Sequence, residues 1–184
     1  MYRFKSIRYI VEASMILAIL VILSLTTLFF KINDTTFQIT DGLYLVLCAL
    51  VPGPMMLVVG ISYSTIIDLI SGGFIFIPIT ITIHILMFCV VKILKKPISP
   101  YLSFIVAALL IFIYVFYVYL LNLNLGHLQA QNVAIKELIT DSIQFGISII
   151  ISFVLYFFLS KKNIKTILFN DNKYNSFKSN KSRY

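Results

Sequence analysis

Long apolar stretches, separated by short polar or glycine- and proline-rich breaks, make up most of this 184-residue chain. Several run for about 20 residues, the length that an α-helix needs to cross the hydrocarbon core of a bilayer. The breaks divide the chain into six apolar segments. We predict helices over residues 9–30, 39–51, 54–71, 78–93, 101–121 and 133–159. The expected fold class is therefore an all-α integral membrane protein with six transmembrane helices.

Prolines and glycines mark the breaks in the middle of the chain. Pro52-Gly53-Pro54 ends the second helix, because proline lacks the amide donor that a continuing helix needs. Gly72-Gly73 ends the third, and Pro78 suits the first turn of the fourth. Polar loops are predicted over residues 31–36 and 122–132.

Composition agrees with a membrane protein, since 60% of residues are hydrophobic, 12% are charged and the mean hydropathy is +0.98. The chain is long enough for one membrane domain, which we place at residues 1–160. Residues 161–184 form a basic tail that we expect to be disordered and held near anionic lipid. The first apolar run is as long as a full span and lacks a small-x-small cleavage site, so we predict a retained helix rather than a signal peptide.

The basic residues predict the orientation. With six spans, thirteen of the fifteen lysines and arginines fall on one side, leaving only Lys31 and Lys136 opposite. Both termini are therefore predicted to be cytoplasmic, and the protein to be a multi-pass protein of the bacterial plasma membrane. A five-span interpretation, with residues 37–71 as one helix, would place the lysines of residues 92–96 outside the cell. It would also put Pro52 and Pro54 inside a helix.

A few polar side chains interrupt the apolar helices near the ends that this orientation places outside. An isolated charge in hydrocarbon is costly, so such residues mark a candidate functional site. We predict that the substrate-binding residues form an outward-facing polar cup. Its members are Asp41, Asp68, Thr80, His84, Tyr117, Asp141 and Gln144. Tyr117 belongs to an aromatic run with Tyr114 and Tyr119, of which one or two members are expected to line the cup.

Each of these residues also has a structural interpretation. Asp41 is equally suited to cap a helix, and Asp141 less clearly so. Asp68 lies near the negative pole of its helix and should need a partner, for which His84 or a ligand cation is available. A histidine on an apolar face is more often a hydrogen-bonded core residue than a ligand contact, although nearby carboxylates favour function.

The sequence lacks the motifs of several enzyme and metal-binding classes. The chain contains no GxxxxGK[ST], HExxH, paired CxxC or GxSxG motif, so no nucleotide hydrolysis, metal site or serine-hydrolase activity is predicted. Cys48 and Cys89 lie within apolar runs and are expected to pack as small hydrophobes. We expect no enzyme activity, no cofactor bound by this chain and no nucleic-acid partner. On the first helix, the small residues Ser14 and Ala18 lie four apart, a spacing that lets another helix approach closely.

The central motifs also resemble a known family. ITDGLYLVLCALVPGP, GISYSTIIDLISGG and PITITIH are similar to the substrate-binding S-components of energy-coupling factor (ECF) vitamin transporters, especially the hydroxymethylpyrimidine and pyridoxine branch. The resemblance covers about residues 9–160. The matching positions are Asp41, Gly53-Pro54, Gly60, Asp68-Leu69, Gly72, Pro78, Thr80 and Gln144.

The resemblance implies a six-helix subunit that captures a small vitamin-like ring compound near the outer face. It further implies docking, through the face of helix 1 that carries Ser14 and Ala18, on a transmembrane coupling subunit driven by two separate ATPases that hydrolyse ATP. Three positions depart from the branch: Thr40, His84 and Thr140-Asp141 replace glycine, lysine and Pro-Asn. The His84 and Asp141 changes fall where ring substituents would be read, which leaves the particular vitamin open.

Three alternatives stay open. In the first, the chain is an S-component that binds another ring compound, such as thiamine, a flavin or a queuosine precursor. An intramembrane enzyme would use Asp41, Asp68 and His84 as acid and base. An assembly subunit without a ligand would keep the polar cup for structural reasons alone.

The orientation leads to a labelling prediction. A cysteine introduced at Asn124 should react with an impermeant thiol reagent added outside intact cells, and one at Asn175 should not, because the two positions lie on opposite sides of the bilayer. The reverse pattern would overturn both the topology and the outward-facing cup.

Overall fold

The computed structural model describes residues 7–27, 31–32, 35–36 and 38–161. Over these residues the chain is helical apart from one short hairpin. The helices are α1 (Ile7–Thr27), α2 (Thr40–Leu50), α3 (Met55–Ser71), α4 (Ile77–Leu94), α5 (Pro100–Ala108), α6 (Ile113–Leu121) and α7 (His127–Leu159). Strands β1 (Lys31–Ile32) and β2 (Thr35–Thr36) pair antiparallel where a polar loop was predicted. The predicted disordered tail lies outside the described residues beyond Lys161.

Within the described residues, four segments are long and apolar enough to cross a membrane, namely Tyr9–Thr27, Phe74–Leu94, Pro100–Leu121 and His127–Leu159. Large apolar side chains are exposed along all four, a surface typical of contact with lipid rather than water. The prediction of a helical membrane protein is therefore confirmed in its general form. Helices α2 and α3 are apolar but shorter.

The bundle is built around α2, which is shorter than α3 and α4, the two helices that follow it. Eight of its eleven residues are buried, and it contacts α1, α3, α4, α5 and α7. Near its start, the Ser152 hydroxyl of α7 donates a hydrogen bond to the Gly42 carbonyl oxygen at 3.0 Å. Because protein rather than lipid surrounds α2, this helix can carry a polar group that a lipid-facing helix could not.

The glycine and proline breaks fall where the sequence predicts them. The C-cap of α3 is Gly72, whose φ of +79° lies in the left-handed region that favours glycine. A single 3-10 turn, Phe74–Phe76, then leads into α4, and Pro78 lies in the first turn of that helix. This return segment brings the start of α4 beside the end of α3.

Two predicted helices differ from the structure. The segment expected as one helix over 101–121 is interrupted by a 3-10 stretch, Leu109–Phe112, although no proline or glycine marks it. The last helix begins at His127 rather than near residue 133. Polar residues in 127–132 suggested a loop, but glutamine and alanine are good helix formers and no breaker follows Gly126.

Two lysines at the C-terminal end of α4, Lys92 within it and Lys95 just after it, donate hydrogen bonds to carbonyl groups at the end of α2. The Lys92 ammonium donates to the Val51 carbonyl oxygen at 2.6 Å, and the Lys95 ammonium donates to the Ala49 carbonyl oxygen at 2.8 Å. Cations at this position satisfy free carbonyl groups and interact favourably with the helix dipole. The basic end of α2 and α4 is therefore the end opposite to Asp41 and Thr80.

Close packing of α2 against α3 leads to a stability prediction. A Cβ atom at Gly60 would lie 2.6 Å from the ring carbons Cε2 and Cζ of the buried Tyr44, so Gly60→Ala must displace that ring. We expect the free energy of unfolding to fall by about 1–3 kcal/mol, measured by thermal unfolding in detergent. The control is Gly146→Ala, where nothing lies within 4 Å of the new atom. Equal stability of the two variants would contradict this packing.

Candidate functional site

The start of α2 places a carboxylate inside the bundle. Asp41 lies in the first turn of α2 and is 3% exposed. Its Oδ1 accepts a hydrogen bond from the Tyr63 hydroxyl at 2.7 Å, and its Oδ2 accepts one from the Gln144 Nε2 amide at 2.8 Å. The N-cap residue of α2 is Ile39, and no side chain caps the helix. The carboxylate of Asp41 thus bonds to α3 and α7 rather than to its own helix end.

His84 completes this group from α4. Its Nε2 lies 2.7 Å from the Tyr63 hydroxyl oxygen and 3.5 Å from Asp41 Oδ1. Its Nδ1 lies 2.8 Å from the Thr80 carbonyl oxygen, to which it must donate because a carbonyl only accepts. The polar cluster is defined here as Asp41, Tyr63, His84 and Gln144, which come from four different helices.

The Tyr63 hydroxyl lies between the carboxyl group and the imidazole, because its oxygen is 2.7 Å from both Asp41 Oδ1 and His84 Nε2. It donates to the Asp41 oxygen, and a hydroxyl oxygen can also accept a hydrogen bond. One side chain of α3 thus joins a group of α2 to a group of α4.

Other hydrogen bonds hold the elements around the cluster in place. The Gln144 Oε1 atom accepts from the Gln38 amide at 2.9 Å, so both ends of the Gln144 amide are satisfied. The Tyr44 hydroxyl donates to the His84 carbonyl oxygen at 3.1 Å, and the rings of Tyr44 and His84 are 5.3 Å apart. These contacts fix α2, α4 and α7 relative to one another.

A second group of polar side chains adjoins the cluster. The Tyr114 hydroxyl of α6 donates to the Thr80 hydroxyl at 2.8 Å. The Asp68 side chain, in the last turn of α3, lies beside the Thr80 hydroxyl and within electrostatic range of His84 and Asp41. Asp141 of α7 lies about one turn before Gln144, the residue that bonds to Asp41. Asp68 and Asp141 are both buried, and Oδ2 of each has no hydrogen-bond partner among the described residues.

The structure thus brings most of the predicted site residues together, but with different pairings. His84 pairs with Asp41 through Tyr63, not with Asp68 as the sequence suggested. Tyr117 lies apart from the cluster: its hydroxyl donates to the Ile75 carbonyl oxygen at 2.6 Å and its ring meets that of Phe76. Tyr114, from the same aromatic run, instead lies beside the cluster, where its hydroxyl bonds to Thr80.

Tyr63 and Tyr44 were missed by the sequence interpretation. Both are completely buried. The sequence contained one indication that Tyr63 belongs to the site, since it lies on the same face of α3 as Ile67 and about one turn before Asp68.

The predicted docking residues Ser14 and Ala18 are exposed on α1. Ser14 lines a groove of about 230 Å³ between α1 and α3, together with apolar residues such as Leu17, Met55 and Val58.

No set of three His, Cys, Asp or Glu side chains suited to hold a metal ion occurs within the described parts of the chain. Comparison of the chain with models of known families, with curated proteins and with solved structures gives no match.

The shared hydroxyl leads to a second stability prediction. Tyr63→Phe removes the group that joins Asp41 to His84 and leaves buried polar atoms without a partner, which should lower the free energy of unfolding by about 1–3 kcal/mol. Thermal unfolding followed by circular dichroism measures this loss. The matched control is Tyr119→Phe, because among the described residues the exposed Tyr119 hydroxyl makes one contact, at 3.4 Å to His127 Nδ1. A loss no greater than that of the control would show that the bridge contributes nothing.

Proposed function

We propose that this chain is the solute-binding subunit of an ECF-type vitamin uptake transporter in the bacterial plasma membrane. It captures a small ring compound, of the hydroxymethylpyrimidine or pyridoxine class, at the outer end of a six-helix bundle whose termini are cytoplasmic. A separate coupling subunit and two ATPases drive transport, and this chain itself hydrolyses no ATP.

The observation that supports this proposal best is the convergence of Asp41, Tyr63, His84 and Gln144 from four helices. Burying a carboxylate and an imidazole in an otherwise apolar bundle carries a desolvation cost that apolar residues would avoid. Such groups inside a membrane domain are more often retained for a ligand or an ion than for stability. Hydrogen-bonding groups of this kind also suit the ring nitrogens and hydroxyls of a vitamin-like compound.

The arrangement of charge supports the orientation. Lys92 and Lys95 lie at the opposite end of α2 and α4 from the polar cluster. If the basic end faces the cytoplasm, as the distribution of lysine and arginine predicts, the cluster faces outward. In this topology the hairpin of α2 and α3 forms the second and third spans, and the 100–121 segment forms the fifth.

The exposed face of α1 supports docking on a partner. Ser14 and Ala18 are exposed beside the larger apolar residues Val11, Met15 and Ile22. Small side chains at this spacing let the backbone of a second helix approach closely. In a membrane the hydrophobic effect does not drive helix association, so helices depend on such close van der Waals packing.

An intramembrane enzyme is a second candidate, favoured by the short contacts of Tyr63 with both a carboxylate and an imidazole. The two functions differ in turnover. The purified chain alone should bind its ring compound and return it unchanged, whereas product formation without partner subunits would favour the enzyme.

The proposal predicts that docking and binding can be separated. Ser14→Leu combined with Ala18→Leu should block close approach of the coupling subunit, so uptake by cells should fall while ligand binding to the isolated chain persists. The control is Val106→Leu combined with Val154→Leu, which adds apolar bulk to exposed positions on α5 and α7. Loss of binding together with uptake in the α1 variant would place this face inside the bundle instead.

A further inference from the structure

A groove of about 340 Å³ lies between α6 and α7, at the end of the bundle where α7 begins. It is lined by Val115, Tyr119, Gln131, Ala134, Ile135 and Leu138. The four positions on α7 are spaced at three, four and seven residues, so they share one face of that helix. No member of the polar cluster lines this groove. The groove is therefore separate from the proposed substrate site.

A small side chain leaves the space between the two helices unfilled. Ala134 is 9% exposed and offers only a methyl group, whereas Ile135 and Leu138 on either side of it are 55% and 43% exposed. The volume lies within the range of roughly 300–1,000 Å³ that is typical of ligand sites. The groove is thus large enough to hold part of a bound molecule.

The polar groups of the groove lie together at one end. The Tyr119 hydroxyl oxygen is 3.4 Å from His127 Nδ1, which is longer than a usual hydrogen bond. Gln131 lies one turn after His127 on the same face of α7, and its exposed amide makes no hydrogen bond within the described residues. Leu138 lies two turns further along. The groove is therefore polar at one end and apolar at the other.

This polarity matches the level of the groove in a bilayer. Helix α7 has 33 residues and is roughly 50 Å long, whereas the hydrocarbon core is about 30 Å thick. Lys161 follows the Leu159 end of α7 and marks one boundary of the core. About 20 residues from Leu159, near Leu138, the helix reaches the other boundary. Gln131, roughly 10 Å beyond Leu138, then lies in the headgroup layer.

The groups at the polar end suit the oxygens of a phospholipid. A tyrosine hydroxyl, a glutamine amide and an imidazole can each donate a hydrogen bond, and if His127 Nδ1 accepts from Tyr119, its Nε2 carries the proton and stays a donor. Phosphate and ester oxygens only accept, and hydrogen bonds to an ionised acceptor are the stronger kind. Among the described residues, no acidic side chain lines the groove. Nothing in its lining therefore repels a phosphate.

We propose that this groove binds one phospholipid of the surrounding membrane. Its phosphate and ester oxygens accept hydrogen bonds from Tyr119, His127 and Gln131, and the first carbons of an acyl chain pack on the apolar end. The lipid fills the space beside Ala134 and so stabilises the contact between α6 and the start of α7. This inference does not depend on the proposed function, because the groove and the polar cluster share no residue.

A pair of glutamine variants tests the polar end. Native mass spectrometry of the full chain, purified in detergent and titrated with palmitoyl-oleoyl phosphatidylglycerol, measures the apparent dissociation constant of the first bound lipid. Gln131→Leu should weaken this binding by about tenfold, because it removes a donor to a charged acceptor. The control is Gln129→Leu, which is also exposed on α7 but does not line the groove, and which should bind as the wild type does.

A pair of valine variants tests the apolar end. Val115→Phe places a ring where the acyl chain is expected and should weaken phosphatidylglycerol binding by at least as much. The control is Val154→Phe, which adds the same bulk at a position of α7 that is 49% exposed and outside the groove. Circular dichroism checks the helical content of each variant. Because Gln131 is exposed, its variant should fold and decides the question if Val115→Phe does not.

Two further probes separate the lipid from its parts. Inorganic phosphate alone should not bind, and a diacylglycerol with the same two chains should bind about tenfold more weakly than phosphatidylglycerol, because it lacks the phosphate. Diacylglycerol binding of equal strength would overturn the headgroup contacts. Phosphate binding that Gln131→Leu abolishes would replace the lipid with a free anion. Equal affinity of the two glutamine variants for phosphatidylglycerol, or no binding to the wild type, would overturn the site itself.

Discussion

The buried carboxylate of Asp41 is the constraint on which the rest of the structure depends. A carboxyl group buried at the start of α2 is tolerable only if other elements supply hydrogen-bond donors. These come from Tyr63 on α3 and Gln144 on α7, and His84 on α4 bonds in turn to Tyr63. Those contacts need α2 at the centre of the bundle. They also need the turn at residues 52–54 and the return segment after Gly72, which bring α3 and α4 back beside it.

Hydrogen-bonded polar side chains lie at both ends of the bundle, but different residue types supply them. At one end, the polar cluster is accompanied by the buried residues Asp68 and Asp141, whose Oδ2 atoms have no hydrogen-bond partner among the described residues. At the other, Lys92 and Lys95 bond the last carbonyls of α2. Helix α2 thus has an acidic side chain in its first turn and lysines at its C-terminal end, the distribution that suits its dipole. This polarity supports our proposal that the cluster faces outward and the lysines face the cytoplasm.

Most of the helices could be predicted from the sequence, because Pro52, Gly72 and Pro78 break them where backbone chemistry requires it. The extension of α7 to His127 could not, since polar helix formers resemble a loop in a membrane protein. Most of the candidate site residues were identified because a charge in an apolar run is rarely accidental. Their pairing depends on tertiary contacts: no local pattern assigns His84 to Asp41 rather than to Asp68, or distinguishes Tyr63 from a packing aromatic residue.

The most direct test of the account is native mass spectrometry of the full chain purified from its own membrane in mild detergent. The account predicts one small organic molecule retained by each wild-type chain and lost from Asp68→Asn, with the thermal unfolding temperature of the unliganded variant preserved, because Asp68 Oδ2 bonds to nothing in the described structure. A wild-type chain that neither retains nor takes up a small molecule, and that Asp68→Asn leaves unchanged, would contradict it and reduce the polar cluster to a structural core.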